Sequence, residues 1–291
     1  MLNLVHLKVL SAVARHGSVT EAAKHLHYSQ SSVSHHLSRL EAATSAKLVQ
    51  RIGRGIRLTP EGHLLANRAA EILGRVDAAT NELAAQIGLQ SGRVRLAANA
   101  STLSTIVPKA AASLTEAYPG IELSLFDRHP VEALQMLRHG EIDVALVFRH
   151  ADDPVEDEGF RLVHVGDDAI YLISRQADDS LANHRLSSWI SGCARCQAEL
   201  NAMCRHEGFT PRIGSHSDDM VVVQSLVAAG AGVTTLPGYA LQAHRREDIH
   251  ATDTGFRRQI HAATYGDPPD PPAVAVVLTA LTEAANPPEY R

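Results

Sequence analysis

The chain has 291 residues and a formal net charge of −5, and 45% of its residues are hydrophobic. This length holds one large domain or two ordinary ones, and the composition excludes wholesale disorder. Three cysteines exclude a disulfide scaffold, and no apolar run approaches the roughly 18–20 residues that span a bilayer. Because residues 1–10 lack a basic region followed by an apolar block, we expect a cytoplasmic protein without a membrane partner.

The charge is unevenly distributed along the chain. Residues 1–60 carry eight Lys or Arg and two Glu, which gives +6, so residues 61–291 carry −11. A basic segment attached to an acidic body predicts a polyanionic partner at one end of the molecule. The alternative is chance asymmetry on a solvated surface.

Apolar spacing and capping residues predict three short helices at the N-terminus. Gly17 ends the first helix, and Ser18 with Glu21 forms a capping box that begins the second. Ser29 is a favourable N-cap for the third helix, which is predicted over residues 30–43.

The third helix has one apolar face and one polar face. Val33, Leu37 and Leu40 are spaced to face a core. The opposite face lacks acidic side chains, so it can lie in an anionic groove and hydrogen-bond base edges, while the helix N-terminus attracts phosphate. The residues predicted to contact DNA from this helix are Gln30, Ser31, Ser34, His35, Ser38 and Arg39.

A β-hairpin is predicted directly after the third helix. Residues 48–51 and 56–59 have the composition of short strands and flank a Gly-Arg-Gly tip. Arg51, Arg54 and Arg57 of such a wing reach phosphates or a minor groove. The segment is therefore predicted to be a winged helix-turn-helix whose recognition helix enters the major groove.

Particular stretches of this segment resemble a known family. LHYSQSSVS at 26–34 and LTPEG at 58–62 are similar to the N-terminal module of LysR-type transcriptional regulators, and the resemblance covers residues 2–65. The chain departs from the family pattern at residues 44–45, where Thr-Ser replaces the usual Leu-Gly, and at Val49, where the family has an aromatic residue. Both departures are expected in core or turn positions and leave the polar face of the third helix intact.

The resemblance implies a sequence-specific transcription regulator that is not an enzyme and has no cofactor. Its implied partners are double-stranded promoter DNA, a small-molecule effector and further copies of itself, as a homodimer or homotetramer, with RNA polymerase as a further candidate. Effector binding is expected to shift a hinge and thereby bend or relax promoter DNA. The sequence contains no phosphate loop, no Gly-x-Ser-x-Gly and no His-Glu-x-x-His motif.

A long linker helix is predicted to begin with Thr59 as N-cap and Pro60 at the first helical position, and to run to about residue 89. Its apolar residues form a heptad-like seam, and the resemblance implies a dimer of paired linker helices. The alternative is a helix that packs within its own chain. The seam consists of Leu65, Ala69, Ile72, Val76 and Leu83. The expected domains are residues 1–59, 60–90 and 91–291.

Residues 91–291 alternate predicted strands and helices, which indicates a parallel α/β sheet. The predictions include strands at 159–165, 169–174 and 259–265 and a helix at about 103–117. Two subdomains are expected, subdomain I over about 91–160 with 259–291 and subdomain II over about 161–258. They resemble the effector domain of the same family, which is similar to periplasmic solute-binding proteins. A true solute-binding protein is a remote alternative that the helix-turn-helix argues against.

Ligands of open α/β sheets bind at the carboxyl ends of strands, close to helix N-termini. In that setting Ser101 and Thr102 can bind a carboxylate through hydroxyl and N–H groups. Each selected position has the alternative of being an ordinary helix cap or surface group. The predicted effector-binding residues are Ser101, Thr102, Phe148, Arg149, Gly192, Cys193, His216 and Ser217.

All three cysteines fall within twelve residues. The Cys193-x-x-Cys196 spacing suits a soft metal or a redox pair, although a single pair is a weak zinc signal and no metal site is predicted. Peroxide-sensing members of the family use two cysteines in this region. Cys204 is similarly placed, but Arg195 stands at the other position. Thiol or metal sensing by these residues is thus an alternative to a simple effector site, and three unrelated thiols are the simplest interpretation.

Overall fold

The structure is a computed structural model that describes residues 2–52, 55–86, 92–150, 159–266 and 268–285. The chain divides into two compact units. The first contains residues 1–92 together with 134–143, and the second contains residues 93–133 together with 144–291. In the part of the chain that the structure describes, no helix is long and apolar enough to cross a membrane.

The first unit begins with three helices and a hairpin, as the sequence predicts. The helices are α1 (Leu4–His16), α2 (Val19–Leu26) and α3 (Gln30–Thr44). Strands β1 (Val49–Ile52) and β2 (Gly55–Leu58) pair antiparallel. The predicted order of elements is therefore confirmed, with boundaries that differ by about one residue.

Short-range hydrogen bonds determine where these helices begin and end. Ser18 Oγ accepts from the backbone N–H of Glu21 at 3.3 Å, and Ser29 Oγ accepts from that of Ser32 at 3.1 Å. Gly17 ends α1 with φ of +64°, a left-handed conformation that glycine adopts without steric cost. Residues of these types thus set the helix ends through contacts within the next three residues.

The apolar faces of α1, α2 and α3 enclose one core. Val33, Leu37 and Leu40 of α3 are buried in it, as their spacing predicts. Ala66 and Ala69 of the following helix also pack into this core. The remaining buried members of the cluster are Leu7, Val9, Leu10, Ala12, Val13, Ala22, Ala23, Leu48 and Leu58.

Helix α4 (Pro60–Gln86) is the predicted linker helix, and residues 87–89 of the prediction lie outside the described residues. Thr59 caps the helix, because its Oγ1 accepts from the backbone N–H of Gly62 at 3.0 Å. A Cβ at Gly62 would lie 2.0 Å from the carbonyl oxygen of Leu48. Glycine is therefore required where the first turn of α4 passes the start of the hairpin.

The rest of the described chain alternates strands and helices. Its strands are β3 (Gly92–Ala98), β4 (Ile121–Asp127), β5 (Val144–Arg149), β6 (Phe160–Ser174), β7 (Ser188–Ser191), β8 (Arg212–His216), β9 (Thr234–Pro237) and β10 (His250–Tyr265). Its helices are α5 (Ala100–Leu103), α6 (Ile106–Ala117), α7 (Pro130–Arg138), α8 (Ala194–His206), α9 (Met220–Ala228), α10 (Gly238–Ala243) and α11 (Pro272–Ala284).

The main sheet of the second unit has the strand order β4-β3-β5-β10-β6-β9 and is mixed. Strands β3 and β5 are parallel, whereas β10 is antiparallel to both β5 and β6, and β6 is antiparallel to β9. Strands β7 and β8 form a separate parallel pair. The prediction of a parallel sheet is therefore wrong for this unit, because the two long strands that carry the chain between its halves pair antiparallel.

Three elements differ from the predicted ones. Residues 160–165 and 169–174 of the two predicted strands belong to the single strand β6, and β10 begins at His250 instead of Gln259. The helix predicted over 103–117 is interrupted between α5 and α6. Polar residues within the long strands look like turn signals, but cross-strand pairing overrides them.

Glu41 connects α3 to the hairpin. Its Oε1 accepts from the backbone N–H groups of Leu48 at 2.9 Å and Val49 at 3.3 Å, and its Oε2 lies 3.1 Å from Nζ of Lys47. Burial raises the pKa of the Glu41 carboxyl, but these donors lower it more, so that it lies below its ordinary value. An ionised carboxylate thus anchors the wing.

We expect Glu41→Ala to speed hydrogen exchange at the amides of Leu48 and Val49 in the full chain, since the loss of a charged acceptor costs about 1.5–3 kcal/mol. In the unmodified chain these amides should lose protection as the pH falls through the lowered pKa of the Glu41 carboxyl. The reason is that the N–H donors stabilise only the ionised form of that carboxyl. Glu21→Ala removes an exposed acid that pairs with Lys24 and is the control. Unchanged protection in Glu41→Ala would contradict the anchoring role.

Candidate DNA-binding surface and ligand cavity

The polar face of α3 is open to solvent. Its three core residues point into the helical core, which orients the other face outward. The predicted contact residues Gln30, Ser31, Ser34, His35, Ser38 and Arg39 are all exposed. The helical period therefore brings these six side chains to one surface that carries no acidic residue.

The first turn of α3 is tied to α2 by polar side chains. Nε2 of Gln30 donates to Oγ1 of Thr20 at 2.9 Å, and the Oγ atoms of Ser29 and Ser31 lie 2.9 Å apart. These bonds hold the N-terminus of α3 in place. Free backbone N–H groups and the positive end of the helix dipole lie at this end of the helix.

Imidazole rings cluster behind this face, which sequence reasoning missed. The ring centroids of His6 and His36 lie 5.2 Å apart, and Tyr28 lies 5.7 Å from His36. Burial lowers the pKa of His6, and the nearby His36 and Arg39 lower it further. The one indication of this cluster in the sequence is that six of the 17 histidines lie in the first 60 residues.

The predicted wing arginines are only partly described. Arg57 is exposed on β2. The backbone of Arg51 lies in β1, but its side chain lies outside the described residues, as does the whole of Arg54. The hairpin pairing places Arg57 opposite Gln50.

The predicted seam of α4 divides into two parts. Leu65 is half-buried and Ala69 fully buried, because both pack against the helical core of the same chain. Ile72, Val76 and Leu83 are 37%, 41% and 62% exposed. The N-terminal part of the seam thus packs into the core of the first unit, and its C-terminal part forms an exposed apolar stripe.

The second unit contains a cavity of about 500 Å³. It lies where several strands end, which is where the carboxyl-end rule places ligands. Of the predicted effector-binding residues, Ser101, Phe148, Gly192 and Ser217 line it. Four strand ends or following loops therefore converge on one space.

The other predicted effector-binding residues do not line this cavity. Thr102 is buried, and its Oγ1 donates within its own turn, lying 3.0 Å from the carbonyl oxygen and 2.9 Å from Oδ1 of Asn99. Arg149 follows Phe148 on β5, so it faces the opposite side of the sheet. Cys193 caps α8, and His216 is an exposed residue at the end of β8.

Arg258, which lines the cavity, belongs to a buried ion pair. Nη2 of Arg258 lies 2.7 Å from Oδ2 of Asp168 and also donates to Oγ of Ser101 at 2.9 Å. Asp168 and Arg258 are 2% and 4% exposed and face each other across β6 and β10. The sequence did not reveal Arg258, because its partner is 90 residues away and strand pairing alone joins them.

Further contacts fix the Arg258 guanidinium. Its Cζ lies 4.6 Å from the ring centroid of Phe148, within cation–π distance. Burial raises the pKa of the Asp168 carboxyl, while Arg258 and the backbone N–H of Tyr239, 3.0 Å from Oδ1, lower it. The cation that faces the cavity is therefore held rigidly by its counter-ion.

The remaining lining separates into charged and apolar groups. Nε2 of His129 lies 3.6 Å from Oδ2 of Asp218, and both groups are about half exposed. Further lining residues are apolar, and they include Met220, Val221, Val223, Leu236, Pro237 and Ala240.

The three cysteines fall in two different environments. Cys193 and Cys196 begin α8, and Cys196 lines the cavity. Cys204 is fully buried beside Trp189 and Met203, and burial raises the pKa of its thiol to about 11. Within the described ranges, no group of three or more His, Cys, Asp or Glu is arranged to hold a metal ion.

Comparison with known proteins gives matches over both units. A family model described as "Bacterial regulatory helix-turn-helix protein, lysR family" matches residues 4–63, and one described as "LysR substrate binding domain" matches residues 88–286. The HTH-type transcriptional regulator YofA of Bacillus subtilis (strain 168) is 30% identical over 249 residues, which cover 81% of this chain and 81% of YofA.

Solved structures show the same fold. A full-length OxyR variant from Pseudomonas aeruginosa has a TM-score of 0.74 at 18% identity and covers 98% of this chain and 96% of its own. Full-length CbnR, solved with its target DNA, has a TM-score of 0.67 at 22% identity and covers 98% and 100%. On the two family matches and the YofA similarity, the chain belongs to the LysR family of bacterial helix-turn-helix transcriptional regulators.

Proposed function

We propose that the exposed α3 face reads promoter DNA and that the cavity binds the small-molecule effector that controls this regulator. The acid-free surface of α3, together with the exposed Arg57 of the wing, is the observation that supports DNA binding most directly. CbnR, which shares the fold, has been solved on its target DNA. The expected cytoplasmic location, the absence of catalysis and a contact with RNA polymerase belong to the same proposal.

The proposed contacts have separate roles. Gln30, Ser34 and His35 carry groups that hydrogen-bond base edges in a major groove, whereas Arg side chains neutralise phosphates. Phosphate contacts strengthen binding to any sequence and weaken with salt, while base contacts discriminate between sequences. The proposed domain limits are residues 1–59 for DNA binding, 60–90 for the linker and 91–291 for the effector domain.

We expect Arg57→Ala to weaken binding to operator and random DNA equally. The slope of log K against log salt should fall by about 0.9, because one phosphate contact is lost. His35→Ala should instead weaken operator binding about 5- to 150-fold more than random-DNA binding, since a base contact is worth about 1–3 kcal/mol. Fluorescence anisotropy at several salt concentrations measures both effects.

Arg205→Ala is the matched control, because it removes an exposed Arg from the second unit. It should change neither the affinity nor the salt slope. Equal losses of His35→Ala on operator and random DNA would refute a base-reading role for His35.

The exposed part of the α4 stripe supports self-association through the linker. Ile72, Val76 and Leu83 lie on one face at heptad spacing and are exposed in the single chain. An apolar stripe of this kind is stabilised when a second copy covers it. We propose that the pairing of two linker helices places two recognition helices on one operator.

We expect Val76→Glu to shift the chain toward the monomer in analytical ultracentrifugation, because it places a charge in an apolar seam. Leu64→Glu is the matched control: Leu64 is also exposed on α4, but about 100° from Leu65 around the helix. The control should keep the wild-type oligomeric state, and a wild-type sedimentation profile for Val76→Glu would contradict the seam.

The Ser101 hydroxyl supports a specific ligand chemistry. Its oxygen accepts from Nη2 of Arg258 at 2.9 Å and from Nδ2 of Asn99 at 2.8 Å. With both lone pairs engaged, the O–H remains a donor, and Ser101 lines the cavity. We propose that this hydroxyl, supported by the Arg258 charge, binds a carboxylate or carbonyl oxygen of a small effector whose apolar part contacts Phe148.

We expect some carboxylate-containing metabolites to raise the melting temperature of the full chain. In Ser101→Ala the same metabolites should produce only a small part of that rise. Ser104→Ala removes an exposed hydroxyl after the same short helix and is the control, which should keep the shift. A thermal-shift screen with both variants makes the measurement. A shift that survives Ser101→Ala for every ligand would exclude the proposed contact.

A further inference from the structure

Cys193 and Cys196 form a dithiol at the start of α8. Their Sγ atoms lie 3.0 Å apart, and both residues are free and partly exposed. Sγ of Cys193 accepts from the backbone N–H of Cys196 at 3.4 Å, so Cys193 is the N-cap of the helix. Two thiols at this distance need only a small movement to reach the S–S bond length of about 2.05 Å.

The two thiols differ in acidity. The hydrogen bond from Cys196 lowers the pKa of the Cys193 thiol to about 6, and His129 lowers it further, against opposing contributions from burial and Asp218. The same hydrogen bond and burial raise the pKa of Cys196, with Arg258 opposing this. At neutral pH, Cys193 is therefore mainly a thiolate and Cys196 a thiol, as an attacking and a resolving cysteine require.

One member of the dithiol is part of the cavity wall. Cys196 lines the cavity together with Gly192, Phe148 and Arg258. A small solute that enters the cavity thus meets Cys196, whose Sγ lies 3.0 Å from that of Cys193.

We propose that Cys193 and Cys196 form a thiol–disulfide exchange site whose oxidant is a low-molecular-weight disulfide. The Cys193 thiolate attacks one sulfur of that disulfide, forms a mixed disulfide and releases the first small thiolate, which takes up a proton. Cys196 loses its proton to solvent and attacks Sγ of Cys193, which forms the internal disulfide and releases the second small thiolate, which also takes up a proton. Starting from a thiolate and a thiol, the protein pair loses two electrons and one proton, and the small disulfide gains two electrons and takes up two protons from solvent.

This inference stands independently of the proposed function, because its primary measurement is the state of the thiols. The third cysteine provides an internal comparison. Cys204 is fully buried, and burial raises the pKa of its thiol, so it should stay reduced while the native fold persists.

The experiment treats the full chain with oxidised glutathione at pH 7, quenches with acid and maps the cysteine peptides by mass spectrometry. We expect an internal Cys193–Cys196 disulfide that dithiothreitol reverses. Cys196→Ser should stop at a glutathione adduct on Cys193, and Cys193→Ser should form neither product. Cys204→Ser, the control, should match the unmodified chain.

A second measurement tests which thiol attacks and requires no oxidation. Iodoacetamide should label Cys193 with a rate midpoint near pH 6, whereas Cys196→Ala should move that midpoint toward the ordinary value of about 8.5, because the hydrogen-bond donor is lost. A midpoint near 8.5 in the unmodified chain would overturn the assignment of Cys193 as the attacking thiol. Failure of the unmodified chain to form the internal disulfide, at oxidant levels that oxidise a reference dithiol, would overturn the site itself.

Discussion

The buried pair of Asp168 and Arg258 is the interaction on which the effector half of this regulator depends. It joins the two long strands β6 and β10 at the register position where they face each other, and through Ser101 and the Tyr239 amide it also fixes the loop after β3 and the start of α10. Removal of one partner from such a pair leaves an uncompensated buried charge and costs about 3–5 kcal/mol. The same contacts orient the Ser101 hydroxyl and the Arg258 cation at the cavity, so stability and the proposed ligand contact depend on one set of atoms.

The DNA-binding half is organised by a different constraint, namely the division of α3 into two faces. Val33, Leu37 and Leu40 are buried, so the opposite face of the helix is exposed to solvent. Glu41 on the same helix then anchors the wing through backbone N–H groups. Core packing therefore positions the proposed contact surface, and the side chains on that surface remain free to be selected for the operator sequence.

The predicted elements agree better with the structure in the first unit than in the second, because the interactions that form them act over shorter stretches of sequence in the first unit. In the first unit the helix caps, the heptad-like seam and the period of α3 act over three to seven residues, and the predicted elements agree with the observed ones. In the second unit the sheet is mixed, and β6 and β10 are longer than predicted, because pairing between distant segments overrides local turn signals. Of the predicted ligand positions, Ser101, Phe148, Gly192 and Ser217 line the cavity, whereas Arg149 faces the other side of β5.

The sequence alone thus determined the family, the helix-turn-helix, the linker helix and the set of strand ends at which a ligand site can form. These features follow from local period, capping and motif spacing. Only the tertiary structure decided that Arg258 reaches Ser101, that the pair with Asp168 is buried, and that Cys196 lies on the cavity wall while Cys204 does not. Each of those facts depends on which strands pair and which face a side chain takes, and the packing of the whole unit sets both.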